Sequence, residues 1–437
     1  MLDIGVSQIT HSLLFYIVAI IRWIIPFVFL WFFWYAAVRF WIHYVREVYI
    51  SKLKWTLLQI QLPKDVYKSP LAMEVILTNA FYQTSGLGTF YERFWLGLVR
   101  IWFSLEIVSI EGRVYFFIWT PSRLRREVES QIYAQYPQAE IHDVPDYTSN
   151  VPPYEKGNGW EVWGTEFGFR KSNVYPIKTY VDYGLDKTTG EDTEQERIDP
   201  ITSQIELMGS IGKGEQIWYQ IVIRAQQSEY LYHFFHGHHG YMEEAEHVID
   251  ELKEKYSKGS SHAVEDDEEE GKSPAGMTKG QREIIFSIER NLNKLPFDVG
   301  IRVLYIAKKE NYHKYTSKGI ELMLKSYESN TLNGFQRVNK TNYADDPWQD
   351  ITGKVETKLK RDMLQKYKLR AFFYLRIRDT FSYGFLENFF PSQKPEIMVM
   401  SSEELATLYH FPGRVSETPT FRRLESRKSE PPHNLPM

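Results

Sequence analysis

The longest apolar stretch of the chain runs from Leu13 to Phe40 and reads LLFYIVAIIRWIIPFVFLWFFWYAAVRF. As an α-helix its roughly 28 residues would be about 42 Å long, which exceeds the bilayer hydrocarbon core of about 30 Å. A signal peptide would have a basic start, a shorter apolar region and a small-residue cleavage site, whereas this chain starts MLDIGVSQITHS and the stretch ends in bulky aromatics. Residues 13–40 therefore predict a retained transmembrane helix, preceded by an N-terminus of residues 1–12.

Two arginines, Arg22 and Arg39, interrupt this stretch. If the hydrocarbon lies between Trp23 and Val38, both arginines reach the membrane interfaces, where a guanidinium can extend to the headgroups. Trp41 then enters the interfacial aromatic belt. Two alternatives stay open: a buried Arg22 that pairs with another helix, and a two-segment hairpin broken near Arg22.

The charges that flank the stretch predict its orientation. Only Asp3 and the amino terminus are charged before Leu13, whereas four basic residues come after Val38, where the hydrocarbon is expected to end: Arg39, Arg46, Lys52 and Lys54. The positive-inside rule then leaves residues 1–12 outside the cytoplasm and places the bulk of the chain inside it. We expect a single-pass protein of the cell membrane.

The region after the stretch, residues 52–148, has the pattern of a small α+β domain. KWTLLQIQLP predicts a strand, SPLAMEVILTNAFYQT a helix, and RIWFSLEIVSIEGRVYFFIWTP two strands that turn at Glu111-Gly112. A further helix and a short strand, AEIHDVPDY, complete the order β-α-β-β-α-β. This order is typical of a ferredoxin-like, split βαβ unit with helices on one face of an antiparallel sheet.

A second α+β region is predicted over residues 160–400, after a boundary rich in Pro, Gly and Asn. NVYPIKTYVDYG and EQIWYQIVIRAQ predict strands, with a helix between them that begins at Asp199-Pro200. Helices and a strand continue on both sides of an acidic insertion, residues 257–278. The fold class expected is α+β: an N-terminal transmembrane helix followed by tandem ferredoxin-like units with antiparallel sheets.

Composition and motifs argue against several chemistries. The chain has no cysteine, which excludes disulfides, thiolate metal sites and cysteine nucleophiles, and its net charge is −4. No G-x-S-x-G, H-E-x-x-H or G-x-G-x-x-G motif is present. Gly271-Lys272-Ser273 is how a phosphate-binding loop ends, but Asp266 occupies the position that requires glycine. Missing motifs do not exclude catalysis, but they leave no catalytic residue and no cofactor to predict; that the protein is not an enzyme is an expectation from the family resemblance given below.

Four histidines stand close together in HFFHGHHG: His233, His236, His238 and His239. Imidazoles can bind zinc or nickel, but a closed zinc site needs ligand pairs separated by a folded loop. Adjacent histidines cannot easily surround one tetrahedral ion. Metal binding stays open as an alternative here, and no metal ligand is predicted.

A basic segment, KVETKLKRDMLQKYKLRAFFYLRIR, spans residues 354–378 and holds nine basic and two acidic residues among aromatics. Lys and Arg release counterions from nucleic-acid phosphates, and aromatics can stack on exposed bases. The alternative is a solvated helix followed by an edge strand. Seven residues are the candidate nucleic-acid contacts: Lys354, Lys358, Lys360, Arg361, Lys366, Lys368 and Arg370.

Several stretches carry a family resemblance: FSLEIVSIEGRVYFFIWTP with VESQIYAQYPQAEI, DPITSQIELMGSIGKGEQIWYQIVIR, DVGIRVLYIA, and SSEELATLYHFPG with RLESRKSEPPHNLP. In this order they resemble the membrane-anchored N-terminal region of HerA-type, type IV secretion (conjugation-related) DNA-translocating ATPases of Candidate Phyla Radiation bacteria. In longer relatives a RecA-like motor with the phosphate-binding loop follows this region. The resemblance therefore implies a region that accompanies such a motor but does not itself contain the nucleotide-binding site.

From this resemblance we expect a non-catalytic membrane-anchored subunit that docks or positions a separately encoded ATPase. Such motors form rings, so the resemblance also implies a homo-oligomer, with residues 401–437 as a C-terminal docking tail. Two alternatives stay open: a membrane-tethered nucleic-acid-binding module, and a structural subunit of an envelope complex.

Overall fold

The structure, a computed structural model, describes residues 2–63, 68–83, 89–186, 198–226, 241–259, 277–342, 348, 350–374 and 395–412. The described helices are α1 Leu2–Lys52, α2 Leu71–Ile76, α3 Phe90–Phe94, α4 Arg125–Gln135, α5 Pro200–Gly209, α6 Tyr241–Gly259, α7 Lys279–Leu292, α8 Lys314–Glu321, α9 Lys354–Lys368 and α10 Ser402–Leu408. The described strands are β1 Trp55–Gln61, β2 Phe103–Ile110, β3 Arg113–Pro121, β4 Glu140–Val144, β5 Trp160–Phe169, β6 Glu215–Ala225, β7 Pro296–Lys308, β8 Phe335–Lys340 and β9 Met398–Ser401.

The chain divides into two compact units. The described part of the first unit contains helix α1 and the segment 89–100, which includes α3. A capping box starts α3, because the Thr89 hydroxyl accepts the Glu92 N–H while the Glu92 carboxylate accepts the Thr89 N–H. The second unit contains the nine strands and the remaining helices.

The strands of the second unit form one antiparallel sheet in the order β4-β1-β3-β2-β6-β7-β5-β8, and β9 pairs with β7. This confirms the predicted α+β class and the antiparallel pairing. The strand order within β1–β4 is repeated within β5–β8, while the assignment of two ferredoxin-like units stays a prediction. Strands β2 and β6 join the two halves through eight register pairs, from Phe103↔Ile223 to Ile110↔Gln216.

The two faces of the sheet have different coverings. One face carries the main apolar core, where strand residues such as Leu105, Ile221 and Val303 pack with residues of α2, α4, α5 and α10. The opposite face lies under α9 and the residues that follow it. There the Phe372 ring lies so close to the sheet that a Cβ at Gly300 would be 2.3 Å from it.

One predicted strand is wrong. Residues 173–184, NVYPIKTYVDYG, form turns, and the strand lies earlier, at Trp160–Phe169. There two backbone N–H groups donate to side chains and not to a neighbouring strand. The Ile177 N–H donates to the Glu404 carboxylate at 3.0 Å, and the Tyr180 N–H donates to the Thr407 hydroxyl at 2.9 Å.

The end of the described chain also differs from expectation. Residues 401–412, assigned by sequence to the docking tail, belong to the core, because every residue of α10 is buried. Ser401 caps this helix in a capping box with Glu404. Residues 413–437 lie outside the described residues, so only this later part remains available to the docking-tail prediction.

Candidate functional site

Helix α1 presents an apolar surface with no protein cover. Within the described residues, Arg22–Lys52 is the one stretch of helix that is long and apolar enough to cross a membrane, with mean hydropathy 1.6. None of the most apolar part of this helix is buried, and Trp23, Trp31 and Trp34 are each about two thirds exposed or more. Large exposed apolar surfaces of this kind are typical of sites that contact lipid or another protein.

The three predicted interface residues lie on α1. Arg22 and Arg39 are both exposed. The Arg39 Nε–H donates to the Tyr35 hydroxyl at 2.9 Å, and its guanidinium carbon lies 5.1 Å from the Tyr35 ring centroid. The Trp41 indole N–H donates to the carbonyl oxygen of Phe94 at 2.8 Å. Trp41 therefore has a structural partner within the first unit in addition to its predicted role at the membrane interface.

The basic segment does not form one continuous surface. Lys360 and Arg370 are inside the protein and are not available for a phosphate contact. The Lys360 ammonium pairs with Glu161 and Glu356, and these carboxylates raise its pKa although burial alone would lower it. The nucleic-acid surface predicted from the sequence is therefore wrong at Lys360 and Arg370.

The other five candidates lie nearer the surface. Lys366 and Lys368 are half-buried, and the Lys368 ammonium donates to the Val151 carbonyl oxygen. Burial lowers the pKa of Lys368. Three residues are exposed, at positions that share one side of the helix: Lys354, Lys358 and Arg361.

A row of polar side chains crosses the sheet beneath α9. The register pairs Glu106 with Gln220, Gln220 with Arg302, Arg302 with Glu166, and Glu166 with Asn339. All five side chains are buried, on five adjacent strands. We refer to these five residues as the polar row.

Arg302 and Glu166 form the centre of the polar row. The Arg302 Nε and Nη2 donate to Glu166 Oε1 at 2.9 and 2.5 Å, and the Asn339 amide donates to Glu166 Oε2 at 2.6 Å. A third donor of Arg302, Nη1, bonds the Gln220 side-chain oxygen at 3.2 Å. Burial alone would raise the pKa of Glu166, but the positive charge of Arg302 and these hydrogen bonds lower it.

Arg370 completes the row at the Glu106 end. Its Nε donates to Glu106 Oε1 at 3.0 Å, and its Nη2 donates to Asp146 Oδ1 at 3.1 Å. Burial opposes the charged form of Asp146, yet the Arg370 guanidinium keeps its pKa below the ordinary value. The Tyr147 hydroxyl donates to Glu106 Oε2 at 2.8 Å, and burial raises the pKa of Tyr147 well above its ordinary value.

A second buried cluster surrounds α10 on the other face of the sheet. The Lys294 ammonium lies 2.8 Å from Glu74, and the Arg290 guanidinium lies 3.2 Å from Glu403. Burial raises the pKa of Glu403, and it raises the pKa of Glu404 to about 7.

His410, near the end of α10, belongs to the same part of the core. Its Nε2 lies 3.2 Å from the Asp199 carboxylate, and its Nδ1 lies 2.9 Å from the Ala406 carbonyl oxygen. Burial alone would lower the pKa of His410, but Asp199 and the backbone acceptor raise it. Both ring nitrogens face acceptors, so the protonated imidazolium satisfies both.

These clusters have the chemistry of structural networks. Most of their charged groups are paired and buried, and the described residues contain no group of His, Asp and Glu that could hold a metal ion. The four histidines at 233–239 and the Gly271-Lys272-Ser273 tripeptide lie outside the described residues.

Sequence reasoning missed the polar row, although the strands carry a signal for it. Glu106, Arg302 and Glu166 each stand in the middle of an apolar or aromatic run: FSLEIVSI, VGIRVLYI and VWGTEFGF. A charged residue inside a strand that is buried on both faces needs an opposite charge nearby. The strand order, which brings these residues side by side, could not be inferred from the runs alone.

Comparison with known families gives a match over most of the chain. Residues 82–423, more than half of the chain, match the family described as "Domain of unknown function (DUF8128)". This range includes the polar row, α9, Arg370 and α10. None of the curated proteins matches the chain. The chain therefore belongs to the DUF8128 family.

Proposed function

We propose that this protein is a non-catalytic, membrane-anchored subunit that docks or positions a DNA-translocating ATPase of a type IV secretion or conjugation-like system. The observation that carries the proposal is the uncovered apolar surface of α1, which suits a membrane span. The basic residues at its C-terminal end, including Arg46 and Lys52, support a cytoplasmic position for the second unit by the positive-inside rule. The separate ATPase partner and the homo-oligomer rest on the family resemblance of the sequence.

The paired and buried charges of the second unit support a scaffold role. Arg302, Arg370 and Lys360 are each held by carboxylates of the same unit, which suits a rigid platform more than a surface that releases and rebinds a substrate.

Affinity purification of the tagged full-length protein from its native membrane tests the proposal. We expect an ATPase with a Walker motif to co-purify with it. The matched control is a variant that lacks residues 413–437, which should remain in the membrane but recover much less of the ATPase if these residues dock it. Repeated recovery of the membrane protein without any Walker-motif ATPase would contradict the proposal.

The runner-up function is a membrane-tethered nucleic-acid-binding module, favoured by the exposed side chains of Lys354, Lys358 and Arg361 on one side of α9. If each contacts one phosphate of duplex DNA, replacing all three by glutamine makes the negative slope of log affinity against log salt concentration shallower by about 2.7. Lys360 is kept, because its replacement would leave Glu161 without this cation.

The matched control for this measurement replaces three other exposed lysines of the second unit by glutamine: Lys314, Lys318 and Lys325. The two variants carry the same charge change, so they separate a local contact from a general loss of positive charge. The proposed docking function predicts that both variants bind DNA alike, whereas a smaller salt slope in the α9 variant alone would favour the runner-up.

A further inference from the structure

A second apolar surface lies in the first unit, on residues 89–97, TFYERFWLG. We name it the aromatic segment. Four large side chains in it are more than half exposed: Phe90, Tyr91, Trp95 and Leu96. The helix within this segment, α3, is too short to be stable by itself, so the segment needs other contacts to hold its form.

The aromatic segment is fixed to α1 at two points. The Trp41 indole N–H donates to the Phe94 carbonyl oxygen at 2.8 Å, and the rings of Trp41 and Trp95 pack edge to face with centroids 5.4 Å apart. One turn further along α1, Gly97 contacts the backbone of Val45 so closely that a Cβ on Gly97 would be 2.2 Å from the Val45 carbonyl oxygen. Gly97 also has φ +70°, a conformation that favours glycine.

These contacts fix the depth of the segment relative to the span. If the hydrocarbon is centred midway between Trp23 and Val38, Trp41 lies about 16 Å from that centre along the helix, at 1.5 Å per residue. Half of the hydrocarbon core is about 15 Å thick. Trp95, in contact with Trp41, therefore lies at the boundary between acyl chains and headgroups.

The chemistry of the segment suits this depth. Trp and Tyr are enriched at the membrane interface because each combines an apolar ring with a hydrogen-bonding group. Phe90 and Leu96 add apolar area for the acyl boundary. The acidic side chain, Glu92, does not oppose the contact as a bare charge, because its carboxylate accepts the Thr89 N–H at 2.7 Å and the Thr89 hydroxyl at 3.1 Å.

We propose that the aromatic segment is a second membrane contact, in which Phe90, Tyr91, Trp95 and Leu96 enter the lipid interface beside the end of the α1 span. This inference rests on the proposed membrane anchoring by α1. The partner is a lipid surface, because the segment continues the apolar surface of α1 at the level where the span ends. Two points of attachment would restrict the tilt and rotation of α1.

Spin-label depth measurements test this inference in the full-length protein. The chain has no cysteine, so each single-cysteine variant carries one label without background. The labelled variants are Leu96→Cys and Tyr91→Cys in the segment, Phe29→Cys in the span and Tyr315→Cys as an aqueous reference. All four native side chains are well exposed, so their replacement leaves folding intact. Vesicles of phosphatidylcholine with a minority of phosphatidylglycerol serve as the membrane, and collision rates with oxygen and with a water-soluble nickel complex are compared.

We expect the ratio of oxygen to nickel collisions to be highest at residue 29 and lowest at residue 315. At residues 91 and 96 it should lie between them, several-fold above the aqueous reference. A deep residue 29 with aqueous values at 91 and 96 would overturn the inference while the anchoring stands. Low collision rates with both reagents at 91 and 96 would indicate that protein covers the segment and would also overturn the inference. An aqueous value at residue 29 would overturn the anchoring and the inference together.

Discussion

Replacement of Arg302 by methionine is expected to lower the free energy of unfolding by about 3–5 kcal/mol. Methionine fills a similar volume but leaves the Glu166 carboxylate, which is 1% exposed, without its cation. It also removes the donor that reaches the Gln220 side chain. Urea unfolding of the detergent-solubilised protein, followed by circular dichroism, measures the change.

Two control variants make this result specific. Lys253→Met removes one partner of a surface ion pair, where Lys253 and Glu289 are 3.4 Å apart and both about half exposed, so it should cost less than about 1 kcal/mol. The double variant Arg302→Met with Glu166→Gln removes both charges, and it should be more stable than Arg302→Met alone. An Arg302→Met protein as stable as the wild type would contradict a stabilising role of the Arg302–Glu166 pair in the sheet.

Replacement of Arg370 by methionine is expected to have a similar effect, about 3–5 kcal/mol, for a related reason. Arg370 is 1% exposed, and it is the cation that lies against the buried Glu106 carboxylate. Its guanidinium carbon also lies 5.5 Å from the Trp119 ring centroid, beside the stacked pair Trp55–Trp119. We therefore expect loss of the near-ultraviolet circular dichroism of these tryptophans together with the loss of stability.

The matched control for this prediction is Arg361→Met. Arg361 lies on α9 and is exposed, and its Nε donates to the Tyr154 carbonyl oxygen at 3.3 Å, so its replacement should change the free energy of unfolding by no more than about 1 kcal/mol. The two arginines look alike in the sequence, since both belong to the basic segment. Equal effects of the two substitutions would contradict the assignment of Arg370 to the buried network.

The sequence predicted what depends on local pattern. The apolar stretch indicated a long helix, the turn at Glu111-Gly112 indicated the β2–β3 hairpin, and Asp199-Pro200 indicated the start of α5. In each case a few neighbouring residues determine the backbone: a run of apolar residues, a left-handed turn or a helix cap.

The features that the sequence could not predict depend on contacts between residues far apart along the chain. The sequence of residues 173–184 resembles a strand because it is rich in apolar residues. Its backbone N–H groups at Ile177 and Tyr180 instead donate to side chains of α10, more than 200 residues later. Likewise Lys360 and Arg370 look like solvated cations until β2 and β5 bring Glu106 and Glu161 to them. The joining of β2 to β6 in one sheet was not anticipated for the same reason.

The proposed function requires that the protein hold a separate ATPase at the membrane. Flotation of vesicles that carry the full-length protein, mixed with the ATPase recovered by affinity purification, tests this requirement. The proposed function predicts that the ATPase floats with these vesicles and stays at the bottom of the gradient with protein-free vesicles of the same lipids. An ATPase that remains at the bottom in both cases would contradict it.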